Sequence, residues 1–294
     1  MLPELVQNIA NYCPKICDQL HLCQLNKDIY DYVYVLSLWD DPYVAKITDG
    51  ILAQNKYSKL VRLNANDNSN ITSLRHINDT LLHLKCGNTV ASIDDIVRRR
   101  ERGEKCGVDQ KCILGLTNLV YLECRDNIKI MDVNHLANSL EFLDCGGFYS
   151  AISQSGISEL KNIHTLFCEN KVTIYDLNHL RNTLKKLHCR SNIIAYEGIK
   201  NLDKLEYLNC LLCSRMNNID KIVNISGCLA ELVYGPTPFD LCHFNKVQLD
   251  NHRKIFGRKT GISELDLRWY GIGTPINDRG FSLPNGMHMN HLKN

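Results

Sequence analysis

Leu119-Val120-Tyr121-Leu122-Glu123-Cys124 decides the fold, because its frame returns again and again. It recurs as Leu140-Glu141-Phe142-Leu143-Asp144-Cys145, Ile163-His164-Thr165-Leu166-Phe167-Cys168, Leu184-Lys185-Lys186-Leu187-His188-Cys189 and Leu205-Glu206-Tyr207-Leu208-Asn209-Cys210. Successive copies start 21, 23, 21 and 21 residues apart. Upstream, Leu60-Val61-Arg62-Leu63-Asn64-Ala65 and Leu81-Leu82-His83-Leu84-Lys85-Cys86 keep the frame. Downstream, Leu229-Ala230-Glu231-Leu232 and Ile262-Ser263-Glu264-Leu265-Asp266-Leu267 are looser copies. A fixed period of this length means a stack of identical units, each too small to bury its own apolar face and therefore stacked on its neighbours.

A strand sends alternate side chains to opposite faces, so the Leu and the Cys two positions apart share the interior. Strands stacked about 4.8 Å apart then align Cys86, Cys124, Cys145, Cys168, Cys189 and Cys210 as one buried column of small, polarizable residues. Zinc wants its thiolates converging on a point, whereas this period spreads them along an axis, so no metal or cofactor is expected. Cys210-x-x-Cys213, the Cys13/Cys17 pair and the Cys106/Cys112 pair read as packing residues. A unit this short leaves no room for a full helix on the far side, where extended segments and single helical turns are expected. A second period overlies the first: His135-Leu136-Ala137-Asn138-Ser139-Leu140 matches His179-Leu180-Arg181-Asn182-Thr183-Leu184, which points to a duplicated pair of units.

The frame resembles the leucine-rich-repeat family, whose unit is L-x-x-L-x-L-x-x-N, with Asn68, Asn127 and Asn192 at the final Asn position. The resemblance implies an α/β solenoid with a parallel concave sheet and a short-repeat convex side. Phe148, Lys171 and Cys213 depart from that Asn, which predicts a weakened side-chain ladder on the convex-side turn and undisturbed strands. The 38 residues from Leu81 to Leu119 exceed one period by about 17, which predicts an insertion at about 93–111. The solenoid is expected over 46–272, with a frayed tail over 273–294 where Gly, Pro, Asn, His and Met replace the period.

At the other end, Leu2, Leu5, Ile9 and Tyr12 fall on one helical face, with Pro3 in the first turn and Glu4 favourable to the helix dipole. Leu22, Leu25, Ile29 and Val33 mark a second such face, and Trp39 closes the segment, so 1–45 is expected to be a helical module. Leu2-Pro3-Glu4-Leu5 with Ile9, Leu20, Leu22, Leu25-Asn26-Lys27 and Trp39 resembles an F-box. With the repeats behind it, the chain is similar to F-box/leucine-rich-repeat proteins, including the divergent kind encoded by large DNA viruses. That resemblance implies a Skp1-type adaptor docked on Leu2, Pro3, Leu5 and Ile9, a cullin ligase beyond it, and a protein substrate on the repeats. A plain helical cap over the first repeat is the competing reading, since a solenoid must cover its exposed apolar end.

Outward strand positions alternate with the core positions, so the repeat frame alone nominates a concave binding face. Tyr121, Phe142, Phe167 and Tyr207 are its expected aromatic anchors, beside Glu123, Arg125, Asp144, Glu169, His188 and Arg190. A protein ligand fits that mixture. A formal charge of +2 gives no global field for nucleic acid or an anionic membrane, and Arg98 to Lys105 interleaves its basic residues with glutamates. The longest apolar run, Tyr32 to Trp39, falls far short of the roughly 20 residues that span a bilayer. Every notable His, Asp and Cys belongs to the repeat frame, so no catalytic constellation is expected. Fourteen cysteines without a visible export signal predict free thiols in a reducing compartment, the cytoplasm or nucleus of the host or producing cell.

Overall fold

The computed structural model describes residues 33–39, 46–88, 106–213 and, with short breaks, 215–233. Nine short strands run through them: β1 (Ser37–Leu38), β2 (Arg62–Asn64), β3 (His83–Lys85), β4 (Tyr121–Glu123), β5 (Phe142–Asp144), β6 (Thr165–Phe167), β7 (Lys186–His188), β8 (Tyr207–Asn209) and β9 (Glu231–Val233). They form one parallel sheet in strict sequence order. The register never slips: Leu38, Leu63, Leu84, Leu122, Leu143, Leu166, Leu187, Leu208 and Leu232 lie opposite one another from β1 to β9. A one-residue slip would turn each of these leucines out to solvent, and burying one side chain is worth roughly 1.5–3 kcal/mol. The chain is thus a leucine-rich-repeat solenoid.

The cysteine column is where the period places it. Cys86, Cys124, Cys145, Cys168, Cys189 and Cys210 are all free thiols with 0% exposure, and Ala65 takes the same place after β2. Burial pushes every one of these thiols up, Cys145 to about 12, so they stay protonated and act as small hydrophobes. For Cys189 the contact with Cys213 is the larger cause of the rise, and burial adds to it.

Two residues past Ala65, Cys124, Cys145, Cys168, Cys189 and Cys210, the chain turns through the left-handed region at Asp67, Asp126, Gly147, Asn170, Ser191 and Leu212. Asp, Asn, Ser and Gly tolerate that conformation; Leu212 does not share their advantage. Gly147 has a second reason, since a Cβ there would meet the Asp126 carboxylate at 2.2–2.5 Å. The turn carries the ladder beyond the strands, as Asp126 N–H donates to Gly146 O, Gly147 N–H to Glu169 O and Asn170 N–H to Arg190 O.

On the convex side the short unit yields single helical turns, as its length requires. They include the 3-10 turns Asn134–Leu136, Asn178–Leu180 and Tyr196–Gly198 and the helices α1 (Asp49–Leu52), α2 (Gln110–Leu114) and α3 (Ile219–Ile222). Thr48 and Asp109 cap α1 and α2 by accepting from Ile51 N–H and Cys112 N–H.

Three expectations are corrected. Residues 33–39, assigned to a helical module, instead open the solenoid: Val35 and Leu38 enter the core and β1 pairs with β2. Val35-x-x-Leu38 is itself a copy of the repeat. The insertion, expected to reach 111, yields to the solenoid by Cys106, because Cys106 and Val108 are buried and Gly107 N–H donates to Asn68 O.

The turn ladder, expected to weaken at Phe148, Lys171 and Cys213, is kept up by other donors at two of the three. Asn68 donates to Ile47 O, Asn127 to Cys86 O and Val108 O, and Asn192 to Cys168 O. Cys213 takes over the same task, its Sγ donating to Cys189 O at 2.8 Å. Buried Lys171 sends Nζ to Ser150 O. Only Phe148 abandons the interior, at 70% exposure. Residues 1–32 and 234–294, with Leu2, Pro3, Leu5, Ile9 and the repeat copy at Ile262, lie outside the described residues.

Candidate functional site

Rigid, in-register strands hold their outward side chains one strand spacing apart, close enough for rings to meet. The concave face carries a continuous run of seven of them. Trp39 meets His83 and Tyr121 edge-on at centroid distances of 6.1 and 5.5 Å. His83 stacks on Tyr121 at 5.8 Å, and Tyr121 on Phe142 at 4.1 Å with 7° between planes. Phe142 tilts against Phe167 at 5.5 Å, Phe167 stacks on His188 at 3.8 Å, and His188 on Tyr207 at 4.7 Å. The run changes column on the way: Thr165, not a ring, faces Phe142 in register, and Phe167 stands opposite Asp144. A diagonal neighbour remains within reach of an aromatic side chain, so the spine steps across and returns at Tyr207.

All four expected anchors therefore belong to one structure, together with His188. Trp39 and His83 were not anticipated. The β1 copy, Val35-Leu36-Ser37-Leu38-Trp39, carried the necessary pattern but lacked a terminal Cys and stood 25 residues before Leu60 rather than 21. Two cations attend the Trp39 end, Lys85 Nζ at 4.5 Å and the Arg62 guanidinium at 5.1 Å from the ring centroid.

The expected carboxylates and Arg125 form a network beside the rings. Arg125 bridges Asp144 through Nε at 3.2 Å and Glu169 through Nη2 at 3.1 Å. Gly146, between them in register, leaves the space this requires: a Cβ there would stand 3.1 Å from the guanidinium. Burial raises the Asp144 carboxyl above its ordinary value, although Arg125 and the Gly146 N–H both oppose it; the guanidinium stays charged. Tyr121 donates to Glu123 at 3.1 Å, and burial, then the Glu123 charge, pushes that phenol up. Glu123 also lies 3.8 Å from Lys85. Burial lowers His83 and His188, so both rings are neutral near pH 7. Arg190, named with this group, stands apart from it, exposed at the C-terminal end of β7.

Next to the network a hollow of about 440 Å³ opens at the C-terminal ends of the strands, walled by Glu123, Arg125, Asp126, Phe148 and Tyr149. Among the described residues no group of His, Cys, Asp and Glu is placed to hold a metal ion. The thiols of the cysteine column are held protonated and make poor nucleophiles. What the face offers is contact: rings that stack on one another have used their faces, so a ligand meets ring edges in fixed positions.

No family model matches the chain, and no curated protein matches it. Among solved structures, an internalin from Listeria monocytogenes aligns over 70% of this chain and 68% of its own, at 17% identity and a TM-score of 0.45.

Proposed function

We propose that this chain is a protein-binding scaffold whose concave sheet face receives a protein partner. The seven-ring spine carries the reading. Half-exposed aromatics are the side chains that most often anchor interfaces, and here they are locked against one another. Locked rings lose little conformational entropy on binding, which favours affinity at a given area. The ion-paired Arg125 network alongside supplies a satisfied polar rim. The test is capture of partner proteins from extract of the host cell by the intact chain and by Tyr121→Ser/Phe142→Ser. Partners retained equally by the doubly substituted chain would place binding elsewhere.

The finer reading makes the scaffold the substrate-recognition adaptor of a Skp1-cullin-F-box type ubiquitin ligase, working in the cytoplasm or nucleus. What supports it is the F-box resemblance of Leu2-Pro3-Glu4-Leu5 and Ile9, placed directly ahead of the repeats. A purified Skp1-type adaptor should bind the intact chain at micromolar concentration and should not bind Leu2→Asp/Ile9→Asp. An intact chain that ignores the adaptor leaves a scaffold with a helical cap and no ligase.

A further inference from the structure

Charges on the concave face do not cancel evenly. Its three described carboxylates are all engaged: Asp144 and Glu169 with Arg125, and Glu123 with Lys85 and the Tyr121 hydroxyl. The cations are not. Glu169 follows Cys168 as Arg190 follows Cys189, so the two are neighbours in register, yet the Glu169 side chain turns the other way to Arg125. Arg190 is left exposed, and Lys186, four residues earlier on the same face, is exposed as well. Neither side chain has an ion-pair or hydrogen-bond partner among the described residues. Between them on β7 stands His188, stacked between Phe167 and Tyr207. Lys186-x-His188-x-Arg190 thus forms a line across the sheet, with a cation at each end and the aromatic spine through its middle.

We propose that the protein partner presents an acidic segment here, its carboxylates on Lys186 and Arg190 and its apolar side chains on the edges of Phe167, His188 and Tyr207. The proposal rests on the concave-face reading above. Along β7 the described unpaired side chains, Lys186 and Arg190, are both cationic, and complementarity of charge selects a partner and its register more than it sets raw affinity. A single-stranded nucleic acid fits less well, because its bases need open ring faces and here the faces are occupied by neighbouring rings.

A phage-displayed random peptide library, selected on the intact chain, tests this. Recovered peptides should be rich in Asp and Glu together with apolar residues. Their affinity should fall about tenfold or more on Lys186→Glu/Arg190→Glu, since charge reversal replaces attraction with repulsion. The reversed chain should in turn select Lys- and Arg-rich peptides. Peptides that need Tyr121 and Phe142 but carry no acidic excess, and ignore the reversal, overturn the proposal while leaving the concave scaffold standing. A library with no binder sensitive to either pair of substitutions overturns both. A labelled oligodeoxythymidine bound more tightly than any acidic peptide, and released by the same reversal, would replace the protein partner with a nucleic acid.

Discussion

The convex side and the concave face of this solenoid share one backbone and obey different rules. On the convex side, residues one double repeat apart do the same work. Gln110 accepts from Met131 and Asp132 N–H as Gln154 does from Tyr175 and Asp176 N–H. Asn134 donates to Ser155 O as Asn178 does to Glu197 O, and the rings of His135 and His179 meet Ile113 O and Ile157 O. On the concave face the same offset pairs Tyr121 with Thr165, Glu123 with Phe167, Arg125 with Glu169, Phe142 with Lys186 and Asp144 with His188. Backbone register is identical on both sides. Where the residues repeat, they hold one turn to the next; where they vary over a repeating backbone, the fold does not ask for them.

The largest effect should come from the repeating interior. An acidic group whose pKa is raised by folding loses its proton first in the unfolded chain, so the stability it confers is complete below its ordinary value and is lost as pH rises. The column thiols are all raised from an ordinary 9.0. Above that pH each should remove about 1.4 kcal/mol per pH unit. Urea unfolding should therefore show stability collapsing between about pH 9 and 10, several kcal/mol in all, with Cys168→Val making the fall measurably shallower. A flat profile would mean the thiols are not buried in a column.

Next in size are the turn residues. Asn127→Ala strips a donor from Cys86 O and Val108 O and an acceptor from Lys129 N–H, all inside the solenoid. The expected loss is about 3 kcal/mol by chemical denaturation. Asn178→Ala, whose partners are exposed, should cost only about 1 kcal/mol. Concave substitutions should invert this ranking. Tyr121→Ser gives up its contacts with the rings of Trp39, His83 and Phe142, and Phe142→Ser those with Tyr121 and Phe167; among half-exposed rings each should cost about 1–2 kcal/mol of stability, while cutting partner binding far more than either asparagine variant does. If Phe142→Ser proved as destabilising as Asn127→Ala, the spine would be structural and the contrast between the two sides would fail.

That contrast also explains what was legible beforehand. Strands β2 to β8 and the cysteine column follow from one period, because burial selects the same residue every time the frame passes. The anchors Tyr121, Phe142, Phe167 and Tyr207 could be placed on the right face from alternation alone. Their fusion into one spine could not, since Thr165 interrupts the column and only the diagonal reach of Phe167 repairs it. Strand β1 escaped notice because Val35-Leu36-Ser37-Leu38 lies inside an apolar run that also suits a helix. Lys171 escaped because a long amphipathic side chain reads as a surface residue until its ammonium is seen to find Ser150 O.

The smallest predicted effect separates the two sides in a single titration. His179 on the convex turn and His188 in the spine are both lowered from 6.5, chiefly by burial. A base whose pKa falls on folding takes its proton first in the unfolded chain, so acidification from about pH 7 through 6.5 should reduce stability. At His188 the Glu169 charge opposes the shift while Lys186 and Arg125 add to it. His188→Phe, which keeps a ring between Phe167 and Tyr207, should flatten the acid limb with little change at pH 7.5. His179→Phe should flatten it too, but should also lower stability at pH 7.5, because it abandons the bond to Ile157 O. The same loss at pH 7.5 from both variants would show that the spine is held by its polar atoms as the turns are, and not by the stacking of its rings.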